Sequence, residues 1–174
     1  MPSPQPGAAA AGGGEPQALA QLSLSLSLHP RRFDPCSELQ HWEETLSGNS
    51  GETPAATAVF IGRVRGRTGS GLPLEALELE HYPGMAEAQL GALASACAER
   101  HGAVAVLVRH RVGRIPNGEA IVLVAVAADR RGPAQRCCQE LLEALKHDAP
   151  FWKREWSGGV GAWVQGNTPL AGDP

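Results

Sequence analysis

Two lysines flank a proline in "LKHDAPFWKRE" (145–155): Lys146 ends an apolar-striped segment, and Lys153 follows Phe151 and Trp152. Lys146 lies four residues past Leu142 and one past Leu145, so it borders the stripe rather than opposing it. Pro150 breaks the segment, which lets the chain fold back and bring Lys153 towards Lys146. Two ammonium groups close together beside aromatic rings would lower one another's pKa through repulsion and desolvation. A lysine so placed can act as acid, base or amine nucleophile. The same spacing also fits two solvated lysines at a helix C-terminus, where the macrodipole favours cations.

A second group is cationic. Arg63, Arg65 and Arg67 alternate, which puts them on one face of a strand, and Arg130, Arg131 and Arg154 stand elsewhere. The guanidinium fork suits phosphate oxygens. Charged residues on a solvent-facing strand that discourage edge pairing would look alike. Six histidines show no ligand spacing, so no metal site is expected. Cys137 and Cys138 fall among leucines on a helical stripe and read as core. His81 and Tyr82 in "HYPGM" (81–85) read as parts of a turn. Neither a P-loop nor a nucleophile elbow occurs.

The elements that must position these groups are mixed. "LSLSLSL" (22–28) alternates as a strand with one buried face, and "DPCSELQHWEE" (34–44) predicts a short helix capped by Asp34. A loop is expected over 47–54. Strands are predicted over 56–66 and 74–82, joined as a hairpin through "RTGSGLP". A helix follows from Pro83 to Arg100, stopped by Gly102. The two most apolar strands, 103–113 and 119–128, form a central hairpin around a Pro-Asn-Gly turn. A second main helix spans Pro133–His147, and 158–166 adds an edge strand. The class is α+β with antiparallel hairpins and two main helices.

Bulk properties bound the function. The 174 residues suit one domain, with 43% hydrophobic and 19% charged residues. A net charge of −3 supplies no global attraction for nucleic acid or an anionic membrane, so any anion site is local. There is no apolar run long enough to span a membrane and no signal peptide, and four cysteines without a framework suggest a reduced, cytoplasmic protein. Residues 1–17, rich in Pro, Gly and Ala, are expected to be a disordered tail, 18–167 one domain, and 168–174 a flexible end.

"FIGRVRG", "LELEHYPGMAEAQL", "HRVGRIPNGEAIVLVAVAADRR" and "LLEALKHDAPFWKRE" together resemble, in order and spacing, the large catalytic subunits of molybdopterin synthase, the MoaE family. The resemblance runs from about residue 22 to about 167. It implies a hammerhead-like α+β fold and a sulfurtransferase that needs no cofactor. The family converts cyclic pyranopterin monophosphate (precursor Z) to molybdopterin by installing two dithiolene sulfurs. The sulfur comes from the Gly-Gly thiocarboxylate of a small ubiquitin-like partner, and a homodimer core builds a heterotetramer. The "AGDP" end lacks Gly-Gly, which fits the acceptor enzyme rather than the carrier.

By resemblance, Lys146 and Lys153 match the family's catalytic lysines. Lys146 would meet the thiocarboxylate, and Lys153 would bind or protonate the pterin intermediate. Lys153-Arg154-Glu155, Arg63-Val64-Arg65 and Asp129-Arg130 match its substrate-binding segments. The family usually has histidine where this chain has Asp129, a negative charge that weakens anion binding unless Arg131 compensates. A partner-binding homologue with little turnover is the alternative this departure leaves open.

Overall fold

The computed structural model describes residues 22–49 and 53–164. The expected tails at 1–17 and 168–174 lie outside the described residues. The elements run β1 (Ser23–His29), α1 (Pro35–Asn49), β2 (Ala56–Arg63), β3 (Ala76–His81), α2 (Met85–His101), β4 (Ala105–Arg111), β5 (Gly113–Pro116), β6 (Ala120–Ala128), α3 (Arg131–His147), β7 (Phe151–Ser157) and β8 (Val160–Trp163). They form two four-stranded sheets, ordered β1-β4-β6-β2 and β5-β3-β7-β8. The class is α+β, as the mixed pattern requires.

The first sheet is the scaffold. β4 and β6 are apolar on both faces, and their antiparallel pairing is the expected central hairpin. One face packs against α2 and α3, where Leu90, Ala94, Val106, Val108, Val124, Val126, Cys137 and Leu141 form one core. Both paired cysteines of α3 are buried there, as their stripe predicts. The other face, with Leu107, Leu123 and Ala125, closes over Phe33 and Trp42 at α1. α1 continues to Asn49, beyond the short helix expected, so residues 47–49 of the predicted 47–54 loop are helical; residues 50–52 lie outside the described part. β1 is parallel to β4, and Leu26 and Leu28 pack on the helix side of the sheet.

The expected hairpin between the 56–66 and 74–82 strands does not form. β2 pairs with β6, whereas β3 joins the second sheet between β5 and β7; near the connection the Leu74 N–H donates to the Gly66 carbonyl, and an isolated bridge joins Arg67 to Pro73. The reason is hydrophobic. Leu77 and Leu79 on β3 bury against Ile115, Val64, Leu74 and Phe151, contacts that a simple hairpin with β2 cannot supply. β2 is also deflected by a register shift at Gly62/Arg63. Gly62 is required at that bulge, since a Cβ would sit 2.8 Å from the Val122 Cγ1.

Two further differences concern the site. The turn expected between the central strands is interrupted by β5, which leaves the first sheet for the second before Asn117 and Gly118 (φ 82°) turn into β6. β7, for which no strand was predicted, is the second sheet's inner strand beside β3. The expected edge strand at the C-terminal end is β8, shorter than predicted, at Val160–Trp163; residues 165 and 166 lie outside the described part.

Leu79 is 1% exposed and sits opposite Lys153 in the β3–β7 ladder. Leu79→Ala is therefore expected to lower stability by about 2–5 kcal/mol in urea unfolding. A loss below about 1 kcal/mol would show that the second sheet does not depend on this contact.

Candidate active site

Lys146 and Lys153 are brought together as their spacing suggests, by the end of α3 and the start of β7. α3 ends at His147, the Asp148 N–H bonds to the Ala144 carbonyl, and Phe151 starts the strand. Both lysines are partly buried. Burial holds Lys153 below the ordinary lysine range, and the nearby Lys146 ammonium pushes it further down. Lys146 lies 3.8 Å from Glu143, one turn back on α3.

β7 sorts the rest of the motif. Neighbouring strand residues face opposite ways, and cross-strand partners share a face. Phe151, Lys153 and Glu155 stand opposite His81, Leu79 and Leu77, on the face that holds the Leu79–Ile115 core. Glu155 reaches Arg65, with 3.3 Å between the charged atoms, so the "GRVRG" segment meets the "KRE" segment here. Arg154 points the other way. Its guanidinium bonds to Glu80 at 2.9 Å and lies 4.2 Å from the Trp163 ring, away from Lys153.

The "HYPGM" turn docks on the same strand. His81 is 6.5 Å from Phe151, and Tyr82 meets Trp152 edge-on at 5.3 Å. Gly84, at φ 81°, starts α2, and its N–H donates to the Glu87 carboxylate at 2.6 Å. His81, Tyr82, Glu80, Trp152 and Trp163 line a cleft of about 340 Å³.

The other expected site residues separate. Val64 is 4% exposed and belongs to the core, its N–H bonded to the Glu119 carbonyl and its carbonyl to the Gly118 N–H. Its side chain sets where Arg63 and Arg65 emerge. Arg63 lines a different cleft, of about 410 Å³, with Arg32, Phe33, Asp34 and residues 117–120. Arg67 bonds to the Gly71 carbonyl. Asp129 and Arg130 are exposed between β6 and α3. Since α3 is a continuous helix, Arg130 lies about 24 Å from Lys146 along its axis.

Sequence reasoning missed His110. It is buried in β4, its ring stacks on Phe151 at 4.5 Å and 7°, and its Nδ1 donates to the Arg111 carbonyl at 2.8 Å. Burial lowers its pKa to about 4, with a further push from Lys153. An apolar run gives little hint that its one histidine meets a strand far along the chain. Among the described residues no group of His, Cys, Asp and Glu could hold a metal.

Fold and site define a two-sheet α+β protein with a partly buried lysine pair flanked by aromatic rings and an Arg–Glu pair. The MoaE protein family matches residues 36–148. The molybdopterin synthase catalytic subunit of Brucella melitensis is 38% identical over 140 residues, 79% of this chain and 81% of that one. That of Ralstonia nicotianae is 44% identical over 110 residues, 63% of this chain and 61% of its own length. Among solved structures, a MoaE protein from Burkholderia ambifaria superposes with a TM-score of 0.66 at 32% identity, covering 87% of this chain and 94% of that one. A molybdopterin synthase from Staphylococcus aureus gives 0.65 at 27% identity, covering 83% and 97%. The chain belongs to the MoaE family.

Replacing Lys146 by Met removes the like charge that Lys153 faces. The Lys153 pKa is expected to rise, yet to stay below that of a free lysine because burial remains. Titration of ¹³C-methylated lysines by NMR checks this. An unchanged Lys153 curve would mean that the two ammonium groups do not interact.

Proposed function

We propose that this chain is the catalytic, sulfur-transferring subunit of a molybdopterin synthase in molybdenum cofactor biosynthesis. Its substrate is precursor Z, and its sulfur donor is the Gly-Gly thiocarboxylate of a small ubiquitin-like subunit. The observation that carries this reading is the Lys146–Lys153 pair, with Lys153 depressed by burial and by its neighbour. A lysine with a lowered pKa surrenders its proton more readily near neutral pH, which suits general acid chemistry on a pterin intermediate. Lys146, on the helix end facing it, would hold the anionic thiocarboxylate. The reacting tail and pterin are held against the aromatic walls of β7, which limits competing hydrolysis.

Arg65 supplies a guanidinium for the substrate phosphate, and Glu155 holds it at 3.3 Å. Arg130 is too far from Lys146 to join the same chain's site, which favours a homodimer in which it serves the partner's site. Two small subunits on that core make the heterotetramer. No described helix is long and apolar enough to cross a membrane, in keeping with a cytoplasmic enzyme. Asp129 lies beside Arg130 and reduces the attraction for phosphate there, an effect that Arg131 offsets only in part.

With thiocarboxylated small subunit and precursor Z, Lys146→Ala and Lys153→Ala are each expected to lower the single-turnover rate by at least about 100-fold. Near wild-type rates in either would remove that lysine from the chemistry. Asp129→His is expected to quicken the reaction at low substrate by strengthening anion binding.

A shared site also predicts complementation. Equimolar Arg130→Ala and Lys146→Ala chains, unfolded together and refolded, should recover about a quarter of the wild-type rate, because half the dimers are mixed and each has one intact site. If Arg130 works with its own chain's Lys146, the mixture stays at the mean of the two variants.

A further inference from the structure

His110 is the buried titratable group that the proposed chemistry leaves unused. Its surroundings on the first sheet are apolar: Val108 precedes it on the same face of β4, and Val122 on β6 and Leu28 on β1 stand opposite it. A phenylalanine would satisfy that environment at lower desolvation cost. A buried imidazole calls for another reason.

Two contacts fix the ring. A carbonyl only accepts, so the 2.8 Å contact with the Arg111 oxygen places the proton on Nδ1 and leaves Nε2 as an acceptor in the neutral ring. The ring lies nearly parallel to Phe151, with centroids 4.5 Å apart. Phe151 and Lys153 share a face of β7 two residues apart, about 7 Å along the strand. The ring is therefore stacked on the strand that carries Lys153, near enough for the Lys153 charge to act on it.

We propose that His110 is a positioning residue for Lys153: the anchored, stacked imidazole walls the amine off from water while adding no charge beside it. The inference deepens the synthase reading and rests on it only in giving Lys153 a task. Several charged and titratable groups face this corner. Lys153 stands on β7 with Lys146 behind it on α3, His81 lies across Phe151 on β3, and the Arg65–Glu155 pair is further along β7. On the β4 side, the Arg111–Glu119 pair closes at 2.8 Å. With cations at 146 and 153, a charged imidazole would be a third. Burial and Lys153 both oppose its protonation, and its pKa of about 4 leaves it neutral at physiological pH.

Two variants separate the wall from the anchor. His110→Asn keeps a donor for the Arg111 carbonyl but removes the ring, which admits water to Lys153. His110→Phe keeps the ring and loses the donor. The Lys153 titration would be read by NMR on ¹³C-methylated chain, and the single-turnover pH profile on unmodified chain with the loaded small subunit. The expected result is a Lys153 pKa about one unit higher in His110→Asn, a matching alkaline displacement of the pH profile, and little change in His110→Phe. Should His110→Asn not fold, His110→Gln supplies the same comparison.

A folded His110→Asn whose Lys153 titrates as in the wild type would overturn the proposal, whatever its rate. So would an equal rise in both variants, which would assign the effect to lost packing. If the wild type makes no product while its Lys153 still moves with His110→Asn, the synthase reading fails and the positioning role stands.

Discussion

The site depends on one antiparallel ladder, β3 against β7. Its register sets Lys153 opposite Leu79 and Phe151 opposite His81, so the Lys153 amine is placed by backbone hydrogen bonds and a buried leucine rather than by a loop. Desolvation of an ammonium is costly, and a mobile segment would relieve it by swinging the lysine into water. Between a packed sheet and the end of α3, that escape is limited. The lowered pKa of Lys153 is thus maintained by the packing of Leu77, Leu79 and Ile115 beneath it.

The same strand carries a second, independent set of contacts on its opposite face. Arg114 stacks over Trp156 at 4.3 Å and Arg154 over Trp163 at 4.2 Å, while the Trp156 Nε1 donates to Glu78 at 2.7 Å. Each such cation–π contact contributes about 0.5–1 kcal/mol at an exposed position. Together they tie β5, β7 and β8 into one layer. Arg154 accordingly supports the strand that presents Lys153 and Glu155.

How much of this was legible depends on range. The lysine pair was, because a helix end, a proline and a short return are local events. The central β4–β6 pairing and the buried cysteine stripe followed from apolar periodicity. The β2–β3 hairpin was misread because a glycine-rich connection between alternating segments looks the same whether its strands pair with each other or part to different sheets. Val64 looked like a member of a basic strand, and only the packing of Leu74 and Ile115 shows it to be core. β7 escaped notice since its alternation mixes aromatic and charged residues on both faces. His110 was invisible for the same long-range reason: its partner ring lies on the other sheet.

The order of the strands has a consequence for how the chain brings its two lysines together. β1 pairs with β4, β2 with β6, and β3 with β7, so each early strand waits for one made much later. Such non-local pairing slows folding, because loop closure precedes the contacts that reward it. During synthesis, β3 emerges with its apolar face uncovered and stays so until β5 and then β7 arrive. The lysine pair is therefore assembled among the last events. A nascent or truncated chain displays ordinary solvated lysines, and the depressed amine exists only once both sheets are complete.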